Sequence, residues 1–423
     1  MKIKIDKIIY PGKSLSKTEG KVVFTDEGLP GEYIEAELVK NKKNYLEAKV
    51  SAILDPSKHR VRNRCKHYRI CSPYQYIQYD EQLRIKKSQL EEIFLHDLKI
   101  KTPSIAFRRS PKEWGYRNKI HLRLIWDGRS PGFAYISLDR EKTLHKIDGC
   151  SLASEEVNDL MDILLEVIKV NRLDFIEEVI IRENHKKEIL LIFLGSKEEE
   201  KERLLLSFEE KSAPPHIKGL IYVIKGSEHV INLWGQDFLT EEIKGRSFEV
   251  GALSFFQVNA EALKCLIDDM YSSLAFTGDE KMVDLYCGVG TFGILFSDKV
   301  KEVSGVESSK ANIVFLKENL LLNNIENFDV NKNTCEKAIK EILKKKPDII
   351  IVDPPRKGLD NSLIDALLRE PVSKIAYISC NPSTLSRDLK KLLLKYKISK
   401  IFGYDFFPHT PHIETFTLLE TPQ

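Results

Sequence analysis

The sequence predicts an α/β protein. Residues 251–423 are expected to form a doubly wound sheet, preceded by an OB-like β-barrel over residues 1–54 and an α+β region over 55–250. Three observations carry this reading. From residue 251 the strand-like runs MVDLY, EVSGVE, DIIIVD and IAYIS alternate with helical stretches at 293–297, 309–323, 336–345 and 384–395. Such alternation gives a parallel sheet with right-handed crossovers. Before residue 55, KIKIDKIIY, GKVVFTD, YIEAELVKN and YLEAKVSAIL are short strands punctuated by Gly12, Gly20, Gly28 and Pro30-Gly31, the spacing of a small barrel. Between them lie a helix over 155–170 and a hairpin built from VIIRE and EILLIFLG.

Composition narrows the function classes. The 423-residue chain is 42% hydrophobic and 30% charged, and no stretch approaches the ~18 consecutive apolar residues of a membrane span. MKIKIDKIIYPG alternates polar and apolar residues as a strand does and does not read as a signal peptide. A cytoplasmic protein without membrane contact is expected, and no obligate protein partner is implied. Seven scattered cysteines are too few for a disulfide framework. Residues 1–150 hold 31 Lys and Arg against 19 Asp and Glu, a surplus of 12 in a chain of net charge +3. A basic front and an acidic back suggest a polyanion, most simply RNA, bound by the front.

Taken in order, the first 54 residues resemble a TRAM domain, an RNA-binding barrel attached to RNA-modifying enzymes. Residues 58–69, KHRVRNRCKHYR, contain no acid. Cys65 and Cys71 lie in or beside this run, with Cys150 far downstream; clustered cysteines suggest an iron–sulfur or zinc site, which needs four soft ligands. Residues 80–100 show helical spacing of Leu83, Leu90, Ile93 and Leu95. Arg117, Lys119 and Arg123 follow on a strand-like segment, as RNA contacts or as ordinary solvated charges.

The chemistry concentrates in the last third. Asp284-Leu285-Tyr286-Cys287-Gly288-Val289-Gly290-Thr291-Phe292-Gly293 turns a strand into a helix with G-x-G-x-x-G spacing, and Glu307 ends the next strand. Either feature serves any adenosine cofactor. An acid just before the glycines and Asp353-Pro354-Pro355 at a later strand end tilt the reading from NAD toward S-adenosylmethionine. Arg356 follows, where an aromatic residue would suggest methylation of an exocyclic amine. Cys380, in Ser379-Cys380-Asn381-Pro382, emerges from the neighbouring apolar run. A thiolate can add to C6 of a pyrimidine and make C5 nucleophilic toward a methyl donor, after which a base must remove the C5 proton. A helix start or a cation beside the thiol would favour its ionised form.

The stretches FFQVN, DLYCGVGTFGI, DPPRKGL, SCNP and FPHTPHIE together resemble the RNA 5-methyluridine methyltransferase family. The resemblance implies a Rossmann-like methyltransferase domain and S-adenosylmethionine contacts from Gln257, Tyr286, Glu307 and Asp353. It implies Cys380 as nucleophile and Glu414 as base, although His409 or His412 could serve on sequence alone. Phe255 would stack on the target base or pack in the core, and Arg356 would hold the uracil or a phosphate. Relatives with a [4Fe-4S] cluster carry C-x5-C-x2-C and a distant fourth Cys. Cys65, Cys71 and Cys150 match and Tyr74 takes the third place, so the cluster is expected to be lost, the alternative being a labile one with a ligand such as His67. Relatives act on 23S ribosomal RNA or on the tRNA T-loop; the barrel inclines the expectation to 23S rRNA. A nicotinamide oxidoreductase and an idle RNA-binding protein are the competing readings.

Overall fold

Alternating burial in the opening strands closes the first unit. The six strand segments run, in sheet order, Lys2–Lys4, Tyr33–Asn41, Tyr45–Asp55, Lys21–Thr25, Lys13–Thr18 and Lys7–Ile9. The first and last are halves of one bent strand, pairing with opposite edges, so the sheet curls back on itself around Ile3, Ile5, Val23, Ile34, Ala36, Leu46, Ala48 and Val50. This is a computed structural model, and it describes residues 1–18, 20–99, 104–137, 142–208, 213–227 and 229–422.

The barrel meets the rest of the chain through the turn Tyr10-Pro11-Gly12. Gly12 has φ +102°, and a Cβ there would lie 2.7 Å from Pro411 Cβ. Gln89 Nε2 donates to the Ile8 carbonyl at 3.1 Å, and Lys7 pairs with Glu92 at 2.6 Å. Gly12→Ala combines a left-handed backbone with a clash. We expect it to cost about 1–3 kcal/mol, read as a lower urea midpoint against wild type.

A seven-stranded sheet follows, ordered Leu144–Ile147, Ser130–Ile136, Lys119–Asp127, Ile176–Glu183, Ile189–Gly195, Ile217–Ile224 and Val230–Gly235. Only the pair Ile189–Gly195 and Ile217–Ile224 is parallel. Helix Glu155–Val170, capped by Ser154 Oγ accepting from Val157 N, buries Val157, Leu160, Met161, Leu164 and Ile168 on one face of this sheet.

The C-terminal sheet has eight strands: Phe328–Lys332, Glu302–Glu307, Lys281–Leu285, Ile349–Val352, Lys374–Ser379, Glu414–Glu420, Lys397–Tyr404 and Ala106–Arg108. The first five are parallel, Glu414–Glu420 runs antiparallel to both its neighbours, and Ala106–Arg108 lies parallel to Lys397–Tyr404. The front half thus supplies an edge strand to the C-terminal sheet. It also supplies helix Tyr79–Leu98, whose Leu90 and Phe94 enter the core beneath that sheet. On this helix the structure differs from the expected apolar stripe: Leu95 is 60% exposed, while Gln82, Lys86 and Gln89 are buried. No described helix is long and apolar enough to cross a membrane.

Candidate active site

Five expected site residues stand at the same ends of five adjacent strands. Glu307 ends Glu302–Glu307, Tyr286 follows Lys281–Leu285, Asp353 follows Ile349–Val352, and Cys380 follows Lys374–Ser379. Glu414 begins the antiparallel strand Glu414–Glu420, and the pairing Ser379↔Thr415 puts it beside Cys380. Chain order reverses between Lys281–Leu285 and Ile349–Val352, the switch point where open α/β sheets bind ligands.

On the Glu307 side the acids organise backbone. Glu307 accepts from Gly288 N at 2.9 Å, Ser308 N at 2.7 Å and Ser309 N at 2.6 Å. Asp284 Oδ2 accepts from Gly293 N at 2.8 Å, while its buried Oδ1 has no partner among the described residues. Burial, with Asp353 and Glu307 nearby, pushes Asp284 up to about 7. Tyr286 takes φ +62°, leaving its hydroxyl 3.4 Å from Glu336 Oε1. Gly288, also left-handed, would direct a Cβ into open space. Asp353, pushed up to about 7 by burial, meets Gln257 Nε2 at 3.5 Å. A crevice with buried, weakly partnered carboxyls suits a ligand that brings positive charge and hydrogen-bond donors, and Gln257, Tyr286, Glu307 and Asp353 would hold it.

On the other side Cys380 is partly buried. Burial pushes its thiol up to about 11, Glu414 and Asp353 add to the rise, and Arg356 opposes it. Glu414 is buried, its Oε1 is unpartnered among the described residues, and burial and Asp353 hold its carboxyl well above the usual range, with Arg356 opposing. Arg356 is the cation of this corner, and its carbonyl accepts from Asn381 Nδ2 at 3.1 Å and Thr384 Oγ1 at 3.2 Å. Since Arg356 favours the thiolate, Arg356→Ala is expected to slow iodoacetamide alkylation of Cys380 at pH 8 by roughly three- to ten-fold. Peptide mass mapping measures this, and an unchanged rate would remove Arg356 from the thiol's surroundings.

The histidines are poorly suited to proton removal. His409 is stacked 3.6 Å from Trp114 and gripped by Gln82, which accepts from His409 N at 2.9 Å and bonds Nδ1 at 3.0 Å. Burial, with Lys86 and Arg64, pushes it down to about 3. His412 is pushed down to about 4 by burial and by Arg356, Lys86 and Arg117. The loop carrying them is clasped by front-half residues that hydropathy patterns gave no reason to select. Lys86 makes a wholly buried 2.6 Å ion pair with Asp405 and donates to the Phe407 carbonyl, and Tyr116 Oη donates to the Pro408 carbonyl. Asn118 Nδ2 donates to Gln257 O, and Asn259 Nδ2 bonds Ser110 Oγ and Phe406 O. A polar residue inside a predicted helix was the one available signal for Gln82 and Lys86.

Phe255 is 61% exposed, so its ring faces outward. Arg117 is only partly accessible, and its guanidinium lies near Tyr116, Cys150 and Tyr135. Lys119 is pushed down to about 8 by burial and by Arg182, its cross-strand neighbour. Cys65, Cys71 and Cys150 do approach one another, but no group of three or more metal-ligating residues suited to an ion occurs among the described residues. Gln75 Nε2 instead donates to Cys65 Sγ at 3.1 Å and Ser72 Oγ at 2.7 Å. Tyr74, in the third ligand's place, is buried with its hydroxyl accepting from Gln89. Three thiols with a buried tyrosine in the remaining place are one ligand short of the four that a four-iron cluster takes.

The chain is similar to known RNA methyltransferases. The family profile described as tRNA (Uracil-5-)-methyltransferase matches residues 78–422, and the TRAM domain profile matches residues 1–51. A Clostridium tetani protein described as an RNA methyltransferase is 30% identical, over 96% of this chain and 93% of its own. One from Listeria innocua is 31% identical, over 97% and 95%. The crystal structure of Pyrococcus abyssi tRNA (uracil-54, C5)-methyltransferase with S-adenosyl-L-homocysteine superposes with TM-score 0.77 and 26% identity, covering 99% of this chain and 100% of that one. The chain belongs to the tRNA (uracil-5-)-methyltransferase family, as an S-adenosylmethionine-dependent RNA uracil-C5 methyltransferase with an N-terminal TRAM domain.

Proposed function

We propose that Cys380 and Glu414 carry out C5 methylation of a uridine in structured RNA. The observation that carries this reading is their adjacency across two paired strands, with Arg356 beside both. The Cys380 thiolate bonds to uracil C6, and the C5=C6 electron pair moves toward C5 and the C4 oxygen, where a cation such as Arg356 stabilises it. S-adenosylmethionine, when bound, supplies an electrophilic methyl group to C5. Glu414 then takes the C5 proton, the double bond reforms and the C6–S bond breaks, releasing the thiolate. A carboxyl held well above its usual range is a stronger base once ionised.

The target base must leave its stack at a cost of a few kcal/mol. The basic front half, including Lys119, together with the exposed Phe255 ring of the C-terminal half, is placed to offset that cost by binding RNA phosphates and bases. Residues 1–54 and 55–250 accordingly serve RNA recognition, and 251–423 the chemistry, all in the cytoplasm. The barrel inclined the sequence reading toward 23S rRNA. The P. abyssi enzyme, named for tRNA uracil-54, matches 99% of this chain, so possession of the front half does not separate the two. That match favours a tRNA T-loop uridine as the second reading. Nucleoside mass spectrometry of separated tRNA and rRNA from a deletion strain tests both, and 5-methyluridine retained at every rRNA site would exclude the first.

RNA containing 5-fluorouridine tests the chemistry. It has no removable C5 proton, so a covalent RNA–protein species should form only with S-adenosylmethionine and vanish in Cys380→Ser. An adduct mapped to another residue would defeat the assignment.

A further inference from the structure

The barrel turn that docks near the active site also places a side chain in it. Tyr10 opens the turn that follows the first bent strand of the barrel, and it packs against the core of the C-terminal sheet. Its hydroxyl lies 3.5 Å from Asn381 Oδ1 and close enough to Cys380, Arg356 and Glu414 to feel all three charges. Asn381 is the residue after the nucleophile. Its Oδ1 caps the following helix by accepting from Ser383 N at 3.2 Å, and its Nδ2 holds the Arg356 carbonyl. Ser379 Oγ and Thr384 Oγ1 bond the Asn381 carbonyl at 3.2 and 3.1 Å. One carboxamide therefore joins the turn carrying Cys380 to the loop carrying Arg356, and the tyrosine hydroxyl donates to it from another domain.

We propose that Tyr10 is a positioning residue of the catalytic centre. Supplied by the barrel, it fixes the Asn381 carboxamide and thereby the placement of Cys380 against Arg356. The barrel then sets the rate of the chemical step as well as helping to bind RNA. This rests on Cys380 being the nucleophile, and the test separates the two claims.

The probes are iodoacetamide and undermethylated total cellular RNA with tritiated S-adenosylmethionine, applied to the full-length protein. Tyr10→Phe keeps the ring and removes the hydroxyl. It should lower the saturating methylation rate roughly three- to ten-fold, the equivalent of one neutral hydrogen bond, with the half-saturating RNA concentration within twofold of wild type. Tyr10→Ala also opens the thiol to water, so Cys380 alkylation at pH 8 should accelerate at least about threefold while methylation falls further. A Tyr10→Phe rate equal to wild type would overturn the proposal. So would a loss confined to the half-saturating RNA concentration, which would make Tyr10 an RNA-binding residue alone. If wild type itself forms no Cys380 adduct with 5-fluorouridine RNA, the nucleophile assignment fails instead, whatever Tyr10→Phe does.

Discussion

Glu414→Gln is expected to convert the enzyme from a catalyst into a trap for its own substrate. Thiol addition and methyl transfer do not require a base at C5, so both should proceed, leaving a methylated RNA bound through Cys380. Proton removal by a positioned group contributes about 10²–10⁴-fold, so turnover should fall by that factor while denaturing gels show an S-adenosylmethionine-dependent shifted band on ordinary RNA. Cys380→Ala, by contrast, removes the covalent step altogether and should lower methylation by at least about 10⁴-fold with no band. Burial of Glu414, with no partner for its Oε1 among the described residues, makes the glutamine tolerable: an amide replaces a carboxyl already biased toward its neutral form. Release of product by Glu414→Gln at the wild-type rate would mean that another group removes the proton. His409 and His412, pushed down to about 3 and 4, are poor replacements.

The second large effect lies away from the reacting atoms. Lys86 and Asp405 form an ion pair with neither side chain exposed, and Lys86 also holds the Phe407 carbonyl. Lys86→Met leaves a buried carboxylate without its cation, which costs about 3–5 kcal/mol. The expected result is a marked drop in thermal midpoint, together with weakened activity because the loop 405–413 leads directly into Glu414. Adding Asp405→Leu should recover much of the stability, since removing both charges spares the lone buried one. Recovery of stability without recovery of activity would show that the pair sets loop geometry. A Lys86→Met protein as stable as wild type would contradict the burial argument.

These cases show what was legible in the sequence. Asp353 and Cys380 lie just beyond the apolar runs Ile349–Val352 and 375–378, while Tyr286 and Glu307 close the strand-like MVDLY and EVSGVE, so the pattern that announces a strand also announces its chemically active end. Glu414 needed the resemblance, since nothing local marks it among other acids. Helix Tyr79–Leu98 was legible as a helix but not in its orientation, because its inward face carries Gln82, Lys86 and Gln89. Hydropathy scores such residues as surface, whereas here each has a bonded partner that makes burial tolerable. Tyr10, Asn118 and Asn259 were illegible for another reason: their partners lie 371, 139 and 147 residues away, and no local pattern encodes a contact at that separation. The missing cluster ligand at Tyr74 was visible in the motif, but the Gln75 amide at Cys65 was not.

The strand Ala106–Arg108 on the edge of the C-terminal sheet constrains how the protein can be divided. Its partner Lys397–Tyr404 lies far along the chain, so the pairing ties the two halves together. A fragment beginning at residue 251 would leave that long strand as an open edge, free to pair with a second chain, and would also lack Leu90 and Phe94 beneath it. The catalytic half is therefore not a portable module: transplanting it onto a different RNA-binding domain requires carrying residues 79–108 along.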